Sequence, residues 1–278
     1  MWKHKLCVNT MASLNLPKTE VLDLIKKVGF DGFFTMWDET ADLESIRRHA
    51  DNIGLHLQSI HAPFAKMDRL WYPDELTEPT VQRLINCIRD CEKIHAPIVV
   101  LHAFITFTRN TATAAGIENF ARVVEAARDT GVKLAFENTE GEAYLHALME
   151  AFKDEPHVGF CWDTGHEMCY NHHEDLIARY GDRLLCTHLN DNLGILDYEG
   201  GTTFHDDLHL LPFDGIADWQ GIADRLDRCG YEGELTFELK PNTTLNHNTW
   251  PIYGHLDAEG YVTNAYMRAC RVAALRKK

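Results

Sequence analysis

The strongest constraint on how this chain folds is a recurring pattern: short apolar runs that end on a polar residue able to hold a metal. It occurs in Ser59-Ile60-His61, Val100-Leu101-His102, Ala135-Phe136-Glu137, Cys161-Trp162-Asp163-Thr164-Gly165-His166, Cys186-Thr187-His188, Asp207-Leu208-His209 and Thr236-Phe237-Glu238. Six of these seven stretches follow strand-like runs. A buried strand favours apolar side chains, so His, Glu and Asp at its end need a separate reason to be there. The stretches supply nine nitrogen and oxygen donors and no thiolate at those ends. That composition suits a catalytic divalent-metal site better than a structural one.

Strand-like runs at residues 6–8, 32–34, 56–61, 98–102, 133–137, 158–163, 184–188 and 234–238 alternate with helix-like runs at 18–28, 43–52, 80–94, 117–130, 143–152, 174–180, 219–229 and 265–275. In the first helical run Val21, Leu24, Ile25 and Val28 share one face. Gly54, Gly131, Gly181 and Gly230 stand where helices are expected to stop. Strands that are continuously apolar predict a parallel sheet covered by helices. Eight such units in 278 residues predict a single α/β domain, a (β/α)8 TIM barrel spanning residues 1–278. A doubly wound open sheet is the competing fold, but Asn9-Thr10-Met11-Ala12 after the first strand is no glycine-rich phosphate loop. Residues 62–79, with Trp71 and Tyr72, and 241–261, with Tyr253, exceed ordinary connections. Such loops are expected as lids, specificity loops or subunit contacts, which leaves a homo-oligomer open.

The formal net charge of −15 repels polyanions, so no nucleic-acid partner is expected. No run approaches the ~18–20 apolar residues of a membrane span. Eight cysteines without a Cys-x-x-Cys pair read as reduced thiols in a cytoplasmic protein. Cys161 and Cys186 are expected as small buried residues, as are Cys87 and Cys91 on one helix face. Sixteen histidines are an excess that invites a metal or acid–base explanation. His4, His49, His95, His146, His157, His172 and His173 are expected at the surface instead.

In a (β/α)8 barrel the carboxyl ends of all strands converge on one face. His61, His102, Glu137, Asp163, His188 and Glu238 end the third to eighth strands in turn, so they are expected around one cavity. Each signal is weak by itself, since a strand-end histidine is more often a hydrogen-bonded structural residue. Their convergence on one rim is the stronger argument.

With these motifs the chain resembles the xylose isomerase-like TIM-barrel superfamily of sugar isomerases and epimerases, which also holds the apurinic/apyrimidinic endonucleases. The resemblance spans nearly the whole chain. Its most specific pieces are Trp162-Asp163-Thr164-Gly165-His166, Thr187-His188-Leu189-Asn190-Asp191 and the stretch Asp207-Leu208-His209 with Pro212, Gly215 and Asp218-Trp219. It implies Glu137, Asp163, His188 and Glu238 as ligands of one divalent ion, whether Mn2+, Mg2+, Zn2+ or Co2+. It implies Glu137 and Glu238 as a proton-transferring pair acting on a hydroxy-carbonyl sugar or cyclitol through an enediolate, and His166 as a contact to a substrate hydroxyl. His61, His102, His166, Asp207 and His209 are expected either to bind substrate or to hold additional metal.

The last possibility belongs to the alternative that the same resemblance implies, a zinc-dependent abasic-site endonuclease. The acidic charge and the arginine-poor loops weigh against it. A non-catalytic sugar-binding barrel is a second alternative. The chain departs from ketose 3-epimerases after His188, where no arginine occurs until Arg225. Asp191, Asn192 and Lys240 are then candidates for contacts to substrate hydroxyls. Trp37 and Phe104 are candidates for stacking on apolar sugar faces. The expected partner is a small-molecule sugar; no glycine-rich loop or cationic cluster marks a phosphate site, which favours an unphosphorylated sugar or cyclitol over a sugar phosphate without deciding between them.

Overall fold

In the computed structural model, which describes residues 4–171, 174–196, 199, 201–245 and 251–277, eight strands run parallel around one axis. They are β1 (Leu6–Asn9), β2 (Gly32–Met36), β3 (His56–His61), β4 (Ile98–His102), β5 (Lys133–Glu137), β6 (Val158–Asp163), β7 (Leu184–His188) and β8 (Leu235–Phe237). Sequential strands pair from β1 to β7, and β1 also pairs with β8. The ring closes between β7 and β8, where Leu189 bridges Phe237 and its N–H donates to Thr236 O at 2.8 Å. The helices lie outside, and the fold is a (β/α)8 barrel.

The strand limits match the apolar runs closely because each run is buried on both faces. Three helices begin earlier than the apolar pattern marks: Thr77–Lys93 and Ala114–Thr130 each start three residues upstream, and Ala258–Ala273 seven, while Lys18–Val28, Leu43–Ile53 and Trp219–Arg228 begin where it marks them. Thr113 and Asp257 accept the N–H of Gly116 and Gly260 as side-chain caps. Gly54, Gly131 and Gly230 end or follow helices with positive φ, but Gly181 does not. With φ −63° it continues into a 3-10 turn, Gly181–Arg183, and it is small because Cys229 packs against it.

The main core lies between strands and helices. A second, small cluster of Val100, Ala135, Cys161 and Cys186 lies apart from it. Each of the four sits two residues before His102, Glu137, Asp163 and His188 respectively, so by the two-residue period they share the barrel interior. They form the apolar floor on which the strand-end residues stand. All eight cysteines are free thiols, and Cys87 and Cys91 are buried as expected. His4 is a correction: it is buried, with Nδ1 donating to Gly233 O at 3.1 Å. His172 and His173 fall outside the described residues. Residues 62–79 are not an open loop, since they contain the helix Asp68–Trp71 and the buried Trp71 indole donates to Ala103 O. Among the described residues no helix is long and apolar enough to cross a membrane.

Candidate metal centre

Glu137, the last residue of β5, is the hub of the carboxyl-end rim. Its Oε1 lies 2.8 Å from His188 Nδ1, and its Oε2 lies 3.2 Å from His61 Nε2 and 3.4 Å from His102 Nε2. His188 Nδ1 is also 3.0 Å from Glu238 Oε2. Glu238 stands one residue past the end of β8. With Asp163 these make a set whose ligand atoms all lie within 4.8 Å of one another. Three carboxylates and one imidazole suit a divalent ion such as Mn2+, Mg2+, Zn2+ or Co2+. Among the described residues, every ion pair of the three carboxylates runs to a histidine. A cation held among them would supply charge compensation that the described side chains give only through imidazoles. The residues therefore fit a metal.

The electrostatics reflect this crowding. Burial pushes the Asp163 carboxyl up to about 6, with Glu137 and Glu238 adding repulsion against the pull of His166 and His209. Burial would also raise Glu137, but His188, His102 and His61 hold it well below the usual carboxylate range. Burial lowers His102 despite the nearby Glu137. The buried Glu140, three residues beyond Glu137, is raised chiefly by desolvation.

A second group, His166, Asp207 and His209, sits beside the first. Asp207 and His209 come from the long connection after β7. That connection folds back through paired bonds between Asp191 and Leu210, at 3.0 and 2.9 Å. His209 takes φ 46°, unusual for a non-glycine residue, with Nδ1 donating to Glu238 O and Nε2 2.8 Å from Asp207 Oδ2. His166 Nδ1 donates to Asn138 O at 2.9 Å, which leaves its Nε2 facing Asp207. His61 is oriented in the same way, by a bond from Nδ1 to Ala62 O at 2.7 Å. An imidazole fixed through one nitrogen by a carbonyl presents the other as a ligand or substrate contact. His61, His102 and Glu137 form a third compact group.

The three motif stretches prove to be one interlocked unit. Asn190 Nδ2 donates to both oxygens of Asp163, at 3.1 and 2.9 Å. Thr164 Oγ1 accepts the Asn190 N–H and donates to Asn190 O. Gly165 is glycine because a Cβ there would stand 2.0 Å from Asn190 Oδ1. Gly215 is glycine because a Cβ would stand 2.2 Å from Asp191 Oδ1. Asn138 completes the support of Asp163 by accepting its N–H at 2.8 Å. We expect Gly165→Ala to cost about 1–3 kcal/mol, since Asn190 is held on Asp163 and has little room to yield. A thermal melt should show the loss. An unchanged midpoint would mean that Asn190 moves freely.

A cavity of about 640 Å3 opens over this rim. His61, His102, His166, Asp207, His209 and Glu238 line its inner part, and Lys240 its edge. Trp37 and Phe104 do not line it. Phe104 stacks on Tyr144 with ring centres 3.9 Å apart, and the Trp37 indole donates to Asp90 at 3.0 Å. The aromatic residue that β2 sends to the site is Phe34, stacked 4.5 Å from His188. Trp37 is three residues further on, so the alternation turns it to the other face. Asp191 is also committed elsewhere. It accepts from Asn192 N, Phe213 N, Ala217 N and Trp219 Nε1, all at 2.8–2.9 Å, and has no capacity left for a sugar hydroxyl. Asn192 is buried and accepts the Leu193 N–H. Phe64, Glu140, Tyr170 and Phe204, on the outer wall, carried no strand-end signal in the sequence.

The sequence profile of the xylose isomerase-like TIM barrel family matches residues 22–251. The uncharacterized protein y4fM of Sinorhizobium fredii is 30% identical, over 78% of this chain and 79% of its own. Among solved structures, the IOLI protein with a bound zinc atom superposes with a TM-score of 0.74 at 17% identity, over 97% of this chain and 98% of that one. An L-ribulose 3-epimerase superposes with a TM-score of 0.73 at 16% identity, over 98% and 95% of the two chains.

Proposed function

The chain belongs to the xylose isomerase-like TIM barrel family, and on that premise we propose that it is a divalent-metal-dependent isomerase or epimerase of an unphosphorylated sugar or cyclitol. The observation that carries this reading is the disposition of Glu137 and Glu238. Both carboxylates reach the same His188 nitrogen, at 2.8 and 3.0 Å, and so flank one small volume; Glu238 lines the cavity, and Glu137 is fully buried behind the lining residues His61 and His102. Glu137, Asp163, His188 and Glu238 would hold the ion. When bound, a divalent ion polarises the substrate carbonyl and acidifies the neighbouring C–H. One glutamate then takes that proton from one face of the carbon, and the other returns a proton to the opposite face. His166, fixed by Asn138, would hold a substrate hydroxyl. The closed floor of Val100, Ala135, Cys161 and Cys186 keeps water from the underside. The relatives named for epimerase activity support the same reading, as does a cavity whose described lining holds Lys240 as its lysine or arginine charge.

The test is exchange of substrate hydrogen with solvent. In D2O, free ketoses and inososes should take deuterium at the carbon beside the carbonyl, and a chelator should suppress the uptake. Turnover without uptake would point to a hydride shift and contradict the paired glutamates.

A second reading rests on the three compact groups together, which could hold three zinc ions for phosphodiester cleavage at an abasic site. It requires a chain of net charge −15 to hold duplex DNA. It predicts cleavage of abasic duplex at low salt; no binding and no cleavage would remove it.

A further inference from the structure

Resting on the reading above, we propose that the outer wall of the cavity is a subsite for a second ring, so that the substrate is a glycosylated keto sugar rather than a free monosaccharide. The cavity itself is the first reason. Its volume of about 640 Å3 falls in the middle of the range for drug-sized ligands, roughly 300–1,000 Å3, and leaves space beyond a single ring seated over Glu137 and Glu238.

The wall has the chemistry that binds a sugar ring. Phe204 is 53% exposed at the cavity edge, and Phe107 behind it is 41% exposed. Their rings lie 4.7 Å apart, and Phe107 in turn meets Tyr170 edge-on at 5.5 Å. Large exposed aromatics are costly unless something covers them. The loop that carries Phe204 is pinned in place: Asp206, itself buried, accepts from Leu196 N at 2.8 Å and Thr203 N at 2.7 Å. The ring is therefore presented outward by a fixed turn. An aromatic face of this kind packs against the C–H face of a pyranose.

Polar groups complete the subsite. Tyr170 is 6% exposed, lines the cavity, and its buried hydroxyl has no hydrogen-bond partner. A buried polar atom left unpaired costs free energy, which a ligand hydroxyl would recover. Glu140, also buried and lining the cavity, accepts the Thr106 N–H at 2.6 Å, and Thr106 takes φ 101° to give it. Non-glycine backbone in that region is strained and is held where a side chain must be placed. Tyr170 stacks on His166 with centres 5.2 Å apart, which joins this wall to the reacting end of the cavity. An apolar platform beside the unpaired Tyr170 hydroxyl and the Glu140 carboxylate fits a sugar ring better than a protein partner or a hydrocarbon.

The test compares D-fructose with the glucosyl-fructoses linked through O1, O3, O4 and O6, with affinity read by titration calorimetry on the protein as purified. At least one disaccharide should bind about ten-fold more tightly than D-fructose. Phe204→Ala should reduce that ratio about five- to ten-fold, and Tyr170→Phe should reduce it as well, with unchanged thermal midpoints. If none of the four binds more tightly than D-fructose, or if Phe204→Ala changes the oligomeric state and not the ratio, the subsite is wrong. Tight disaccharide binding without any solvent exchange would sink the isomerase reading and leave the subsite standing.

Discussion

Replacing Glu137 by glutamine should lower the rate of solvent deuterium exchange by at least about a thousand-fold while the barrel remains folded. A positioned general base contributes roughly 10²–10⁴-fold, and here the same carboxylate is also a proposed ligand of the ion. Glutamine keeps the shape and can still meet His61 and His188, so the packing around a fully buried side chain is preserved. Glu238→Gln should give a loss of the same order, because each glutamate serves one face of the substrate carbon. The two variants should differ in one respect. If the glutamates act on opposite faces, each single variant can retain slow exchange of hydrogen on its intact side with one epimer of the substrate. A single-turnover experiment with both epimers reads this directly. Equal residual rates with both epimers would contradict the two-face assignment.

Asp191→Ala should lower stability by roughly 4 kcal/mol, the largest effect expected outside the reacting residues. Asp191 is fully buried and its carboxylate takes four hydrogen bonds, from three backbone N–H groups and the Trp219 indole. Leaving a buried donor unmatched costs about 1–3 kcal/mol, and partial hydration of the vacated space offsets part of the sum. In a chain of this size that corresponds to a fall of about 10 °C in the thermal midpoint. Asp191→Asn should lose less, because the amide oxygen still accepts. A substrate-binding role would give the opposite pattern, with a raised KM and an unchanged midpoint.

The barrel was legible because its strands are buried on both faces and read as unbroken apolar runs. His61, His102, Glu137, Asp163 and His188 close their strands in the structure as they close those runs in the sequence. The residues that orient them were harder to see. Asn190 falls within the motif around His188, but its bond to Asp163 crosses to a neighbouring strand; Asn138 follows its strand end by one position, its partner also lies on a neighbouring strand, and no local pattern marks it. Asp191 read as a candidate contact to a substrate hydroxyl because three of its four donors lie as far along the chain as Phe213, Ala217 and Trp219. Trp37 and Phe104 were misplaced for a different reason. An aromatic just beyond a strand reads alike whether it faces the axis or the helices; the alternation of a known register decides for Trp37, whereas Phe104 lies past the end of its strand and turns onto Tyr144. Phe64 and Phe204 come from loops, and Tyr170 follows the short helix Thr164–Cys169, where neither period constrains direction.

The central claim is that Glu137, Asp163, His188 and Glu238 together hold one divalent ion. The most direct measurement is metal per chain by elemental analysis, for the unaltered protein and for His188→Ala and Asp207→Asn. We predict one ion per chain, retained in Asp207→Asn and lost in His188→Ala. Three zinc ions per chain, or a single ion that survives His188→Ala, would contradict it.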